Sequence, residues 1–171
     1  IYATGFEVGT GYLRNTDCEV YGREGISLHE KWKDGPATLH GLMTRDFPNA
    51  FVLASLQSGQ SANFQHMLDE KAKHIAFIIA EARARGIETL EPTAEAERQW
   101  VDTIVQLAVA RRPFLEECTP GYYNNEGQAS NTRTARNSPY WRGPMAYIKV
   151  LDRWRRDGTL PGLELRPGGT N

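Results

Sequence analysis

Residues 50–86 constrain this chain most, because the hydrophobic period changes within them from continuous to helical. Ala50 to Ala54, "AFVLA", is a short unbroken apolar run, the pattern of a strand buried on both faces of a parallel sheet. A polar stretch of small residues, "SLQSGQSAN", follows it. Phe64, Met67, Leu68, Ala72, Ile75, Ile79 and Ala82 then recur at three- and four-residue steps, which predicts one long helix with that face turned inward. Asp69 stands four residues before Lys73 as a supporting surface pair, and Gly86 ends the helix. Strand, loop and helix in this order leave free backbone amides and a partial positive charge at the helix start, a place suited to an anionic ligand. The loop carries neither GxGxxG nor a Walker signature, so its pattern alone assigns no ligand.

The flanking segments surround this unit with shorter elements. "CEVYG" and "GISLHE" read as short strands divided by glycines, and the chain turns at Gly35-Pro36. A second helix is predicted from Thr93, with Glu95 and Glu97 in its first turn, through Trp100, Ile104, Leu107 and Ala108 to a stop at Pro113. More than 20 irregular residues follow, from "ECTPGYYNNEG" to "NSPYWRG". Their Tyr122, Tyr123, Tyr140 and Trp141 suit an arm pinned to a core, or a platform for a planar ligand. A last helix begins near Pro144, runs through Tyr147, Ile148, Leu151 and Trp154, and stops at Gly158; Arg153, Arg155 and Arg156 at its end suit the helix dipole.

Several functional classes are disfavoured. Twenty Lys and Arg against 21 Asp and Glu leave a formal charge of -1, so nothing global attracts nucleic acid or an acidic membrane. No run of about 18 apolar residues is present, so no membrane span is expected. Cys18 and Cys118 are far apart and form no CxxC, which argues against zinc or a disulfide scaffold and favours a reducing compartment such as the cytoplasm. Cys118 follows Glu116 and Glu117, so a packed thiol is expected in preference to a reactive one. His29, His40, His66 and His74 form no ligand motif, and His66 and His74 lie about 12 Å apart along one helix, so surface or groove histidines are expected and no metal. No GxSxG, SxxK or Cys-His arrangement supports covalent catalysis.

The ordered set "ATGF", "KWKDGPATLHGL", "DFPNAFVLAS", "HML", "PGYYNNEG" and "GPMAYIKVLDRWRRDGTLPGLEL" resembles the C-terminal portion of the flavin-dependent Baeyer–Villiger monooxygenases over essentially the whole chain. "PGYYNNEG" and "GLEL" look most like the branch acting on aryl ketones and on large cyclic or steroid-like ketones. The resemblance implies an α/β fold, the C-terminal part of a Rossmann-like flavoprotein with two dinucleotide-binding domains, ending in a largely helical and irregular region. Residues 1–5 would close the NADPH-binding domain and its link, residues 6–86 would complete the FAD-binding domain, and residues 87–171 would form the helical and extended C-terminal segment.

It also implies FAD and NADPH as cofactors, with a ketone and O2 converted to an ester or lactone. Ala3, Thr4 and Gly5 match the family's link at the cofactor, and Tyr122 falls where much of the family has Trp near NADP+. The helix start from Asn63 to Met67 would face the flavin's pyrimidine edge, with Phe64 and Met67 toward the ketone pocket. Trp32, Pro36 and Pro48 match turn and packing positions, and Ser55-Leu56 stands where the family usually continues with Gly-Pro. Neither glycine-rich fingerprint, nor "FxGxxxHxxxW", nor the family's catalytic arginine is in these residues; all lie upstream of "ATG" in the family. Upstream segments of the same polypeptide are therefore the expected partners, no catalytic residue is assigned here, and the isolated residues are expected to be inactive. The rivals are a related flavin monooxygenase acting on nitrogen or sulfur, and a non-catalytic binding module derived from the family.

Overall fold

The computed structural model describes residues 17–117 and 132–169. The expectations for Ala3, Thr4, Gly5, Cys118, Tyr122 and Tyr123 lie outside the described residues.

Helix α2, Phe64–Ala84, begins where Asn63 accepts a hydrogen bond from the His66 amide and ends before Gly86, whose φ of 64° is left-handed. Helix α3, Ala94–Val109, is capped by Thr93, which accepts from the Ala96 amide, and carries Glu95 and Glu97 in its first turn. Helix α6, Pro144–Asp157, places its proline in the first turn and Gly158 at φ 72° past its end. These three helices begin where the sequence predicts them, and α2 and α6 also end there. Shorter helices complete the set: a 3-10 turn at Arg23–Gly25, α1 at Leu28–Lys31, α4 at Arg112–Glu117 and α5 at Thr132–Arg136. Pro113 does not end α3, which stops at Val109; it occupies the first turn of α4, where the missing N–H is no loss.

The described sheet has two antiparallel strands, β1 Ile87–Pro92 and β2 Leu163–Pro167, with Leu90 opposite Leu165, Pro92 opposite Leu163 and an irregularity between Ile87 and Thr89. Neither strand is evident in the sequence, since each is short and its partner lies far along the chain. On the other side of β1, Asn49 exchanges hydrogen bonds with Leu90, N to O at 2.9 Å and Oδ1 from N at 3.0 Å, so that edge is also occupied.

Two hydrophobic clusters hold these elements. One joins Leu39, Met67, Trp100, Ile104, Tyr140, Tyr147, Ile148 and Leu151; the other joins Leu42, Met43, Ile78, Ala82 and Leu90 under the sheet. Leu163 packs against both. Helix α2 lies against β1 and α6, and α3 against α5.

Three local expectations are corrected. Ala50 to Ala54 is not a strand: Val52 donates to Leu42 O at 2.7 Å, and Leu53 is 55% exposed. A strand needs a partner along its length, and no described strand lies alongside to supply the ladder. "CEVYG" and "GISLHE" meet only in one bridge, Tyr21 with Ser27, because Ser27 instead caps α1 by accepting from the Glu30 amide. The inward face of α2 is also rotated from the expected one. Its buried residues are Met67, Glu70, Lys71, His74, Ile78 and Ala82, whereas Phe64, Ala72 and Ile79 are exposed. The 3.6-residue period holds, but three polar side chains lie inside the stripe: Glu70 pairs with Lys73, Lys71 donates to Ala54 O, and His74 packs against His40 and Trp154.

Candidate functional site

Residues 54–63, the loop into α2, have a fixed inner half and an open outer half. Gln57 and Ser58 are fully buried. The Gln57 carboxamide oxygen accepts from Thr38 Oγ1 at 2.5 Å, and its nitrogen donates to Pro36 O at 2.7 Å and Arg136 O at 2.9 Å. Its backbone N donates to Ser138 O at 3.1 Å, and its carbonyl accepts from Trp100 Nε1 at 3.1 Å. One glutamine thus ties the segment around Pro36, helix α3, the end of α5 and the following strap to the loop, leaving no buried polar group of its own unpaired. Tyr140 N adds a bond to Ser58 O at 2.9 Å, and the Tyr140 ring stacks on Trp100 with centroids 5.4 Å apart. Of the two readings of the irregular segment's aromatics, this supports pinning to the core for Tyr140.

Two glycines allow the close approach. A Cβ on Gly41, whose φ is 68°, would lie 2.6 Å from Leu56 O and 2.9 Å from Gln57 O. A Cβ on Gly59 would lie 2.7 Å from Met67 Cε and 2.8 Å from the Tyr147 ring. The loop therefore rests on its supports with no room for an added carbon.

The outer half faces solvent from Gln60 to His66, with only Ser61 half-buried. Asn63 is spent on the cap, accepting from His66 N at 3.1 Å, and Ser61 Oγ accepts from Asn63 N at 3.1 Å. The amides of Phe64 and Gln65, which a helix cannot satisfy from within, remain at its open end. Phe64 is 49% exposed beside them. Met67, expected to line a pocket, is 2% exposed and packs beneath this end against Gly59 and Tyr147. Of the predicted site residues that are described, Asn63 and Phe64 stand at the open end, and Met67 supports it from the core.

The supporting residues were not legible as such. Trp100 and Tyr147 read as apolar helix positions, and Gln57 as one of several polar loop residues. Lys71, which the apolar periodicity of α2 does not include, is 2% exposed, with its ammonium donating to Ala54 O. Burial lowers its pKa to about 8. Ser58 Oγ donates to Ala54 O at 3.3 Å and Ser55 O at 3.1 Å, closing the turn that the Ser55-Leu56 sequence forms.

Two histidines are corrected from surface to core. His40 and His74 are 7% and 1% exposed, their ring centroids 5.8 Å apart among Trp100 and Trp154. Burial holds His40 at a pKa of about 4 and His74 at about 3, the latter also opposed by His40 and Arg155, so both are neutral. A cavity of about 10 Å³ lies between them, Leu42 and Ile78, scarcely room for one water. Elsewhere on α2, His66, Asp69 and Glu70 bring ligand atoms within 4.8 Å of one another, but Lys73 engages both carboxylates, at 2.8 Å and 2.9 Å.

A clamped loop leading to an open helix end, on a mixed helical and sheet scaffold, is the arrangement that the described residues bring together. The chain is a homologue of the Baeyer–Villiger monooxygenases, over part of their length. It is 42% identical over 170 residues to neopentalenolactone D synthase of Streptomyces avermitilis, covering 98% of this chain and 28% of that protein. A Baeyer–Villiger monooxygenase of Streptomyces coelicolor is 43% identical over 159 residues, 92% of this chain and 26% of its own length. The chain thus spans about 28% of the first of these relatives. Among solved structures, a polycyclic ketone monooxygenase from Thermothelomyces thermophila superposes with a TM-score of 0.79 at 37% identity, over 87% of this chain and 24% of that one. An oxidised steroid monooxygenase bound to NADP superposes at 0.73 and 28% identity, over 88% and 26%. No protein-family model matches the chain.

Proposed function

We propose that this sequence is the C-terminal part of an FAD- and NADPH-dependent ketone monooxygenase, and that its open α2 end forms one wall of the flavin site. The balanced reaction takes ketone, O2, NADPH and a proton to ester or lactone, water and NADP+. When bound, FAD supplies the oxygen activation and NADPH the two electrons. The observation that carries the reading is the helix start that follows the loop held by Gln57: two first-turn amides with no partner among the described residues, a half-exposed Phe64 and no carboxylate among Gln60 to Gln65. That set fits a flat ring with an apolar face and an edge that becomes negative on reduction.

Each residue then has a physical task. The Phe64 and Gln65 amides favour negative charge at their end of the helix. Phe64 covers apolar surface and excludes water, while Met67, packed behind it, fixes where that surface stands. Residues 1–5 are assigned to the NADPH domain's end and link, 6–86 to the FAD domain, and 87–171 to the C-terminal segment. Ala3, Thr4 and Gly5 are assigned to close backbone approach at the cofactor, and Tyr122 to the nicotinamide side. The ketone is placed on the exposed side of Phe64, and large cyclic substrates accord with the names of the relatives. A reducing, NADPH-rich cytoplasm accords with two cysteines that lie far apart in the sequence and form no CxxC.

The test uses the intact protein carrying this sequence, purified with FAD and given NADPH with linear, aryl and polycyclic ketones. Ketone-dependent NADPH consumption and a product heavier by one oxygen atom, as ester or lactone, are expected. Oxygenation of amines or sulfides with every ketone untouched would replace this reading with the nitrogen- or sulfur-oxidising one. A protein that neither retains nor takes up FAD would leave only a binding role.

A further inference from the structure

Lys71 is buried without an opposing charge. It stands seven residues after Phe64, is 2% exposed, and forms no ion pair among the described residues. Its neighbour Glu70 is turned to Lys73 at 2.9 Å and to Arg155 at 3.9 Å. Helical side chains lean toward the N-terminus, and this one reaches the Ala54 carbonyl at the base of the loop. Thus the ammonium lies against the base of the loop that leads into α2. Burying a cation with one described hydrogen-bond partner is costly, and an apolar chain of similar length would fill the same space without that cost. Ser58 already donates to the Ala54 carbonyl, so the loop does not need a charge to close. Charges kept at such cost concentrate at functional sites.

We propose that Lys71 is a positioning residue whose buried positive charge, set behind the 54–59 loop, favours the reduced, anionic form of a flavin at the α2 end. This rests on the reading under Proposed function. At neutral pH the lysine keeps its proton, since its pKa is lowered only to about 8, and the charge is present.

The test compares wild type, Lys71→Met and Lys71→Gln in the intact, FAD-loaded protein, equilibrated with a redox dye at neutral pH, alongside thermal melts of the FAD-free forms. Methionine removes both charge and donor; glutamine keeps a donor for Ala54 and removes only the charge. Both variants are expected to hold at least tenfold less reduced flavin at a given dye potential, a shift of about 30 mV for a two-electron couple. The Met variant should melt no lower than wild type. An unchanged reduced-to-oxidised ratio in the Met variant would overturn the proposal, whatever its melting temperature. A wild-type ratio in the Gln variant would overturn it too, leaving the hydrogen bond as the useful part. Wild-type protein that binds no FAD would instead sink the flavin reading, and this proposal with it.

Discussion

Gln57 is the residue on which the loop's position depends, because its carboxamide is read by one donor and two acceptors in fixed positions. Exchange of its nitrogen for oxygen in Gln57→Glu would set a buried carboxylate against the Pro36 and Arg136 carbonyls, which now accept at 2.7 Å and 2.9 Å. Gln57→Leu only leaves those carbonyls and the Thr38 hydroxyl hydrogen without a partner, while Thr38 Oγ1 still accepts from Gly41 N. Unsatisfied buried groups cost roughly 1–3 kcal/mol each, so the Leu variant should lose about 3 kcal/mol in chemical denaturation, and the Glu variant more. A Glu variant as stable as wild type would show that the loop can rotate its glutamine away. Glu97 plays the comparable part at residues 44–45, accepting from Thr44 Oγ1 at 3.0 Å, Arg45 N at 2.7 Å and Lys31 Nζ at 3.1 Å. In the sequence it is simply a first-turn acid of α3, a favourable place for it on helix-dipole grounds alone. Its second task depends on a segment more than 50 positions away.

At the scale of elements, the contact between the 38–43 turn and the 54–59 loop is backbone against backbone. Gly41 makes it possible. Gly41→Ala would add both a left-handed penalty of about 1–2 kcal/mol and a carbon 2.6 Å from Leu56 O, so the loop must retreat. A loss above about 2 kcal/mol is expected, together with weaker FAD retention by the intact protein, read by fluorescence of released flavin. Loss of stability with undiminished FAD affinity would separate the turn from the site. The helix limits in this region were legible for a local reason: caps at Asn63 and Thr93 bond to amides three residues on, and Gly86 and Gly158 adopt left-handed backbone at once. The inward face of α2 was not, because Leu68, Ile75 and Ile79 offer an apolar stripe almost beside the one that packing selected.

Across the molecule, two neutral histidines in the core couple stability to pH. His40 and His74 titrate in the folded state near 4 and 3, below the ordinary value of 6.5 expected on unfolding. As pH falls below 6.5 the unfolded chain takes up protons that the folded one refuses, so stability is full above that value and declines below it, by up to about 1.4 kcal/mol per pH unit for each group. His74→Phe removes one such proton and also the buried Nδ1 that has no hydrogen-bond partner among the described residues. Denaturation of the intact protein between pH 6.5 and 5 should therefore show a flatter slope in the variant. Parallel slopes would place His74 in contact with solvent. No described helix is long and apolar enough to cross a membrane.

The sequence by itself determined where the long helices begin, where α2 and α6 end and, through the order of its motifs, which proteins it resembles. These are properties of neighbouring residues or of linear order. Only the tertiary structure decided that Ala50 to Ala54 is not a strand, that β1 meets β2, and that Gln57, Lys71, His40 and His74 are interior. The physical reason is common to all of them: burial of a polar side chain, like pairing of a strand, is favourable only once a distant segment supplies the partner. Arg136 for Gln57 and Leu165 for Leu90 are such partners, and neither is visible within the span of a helical turn.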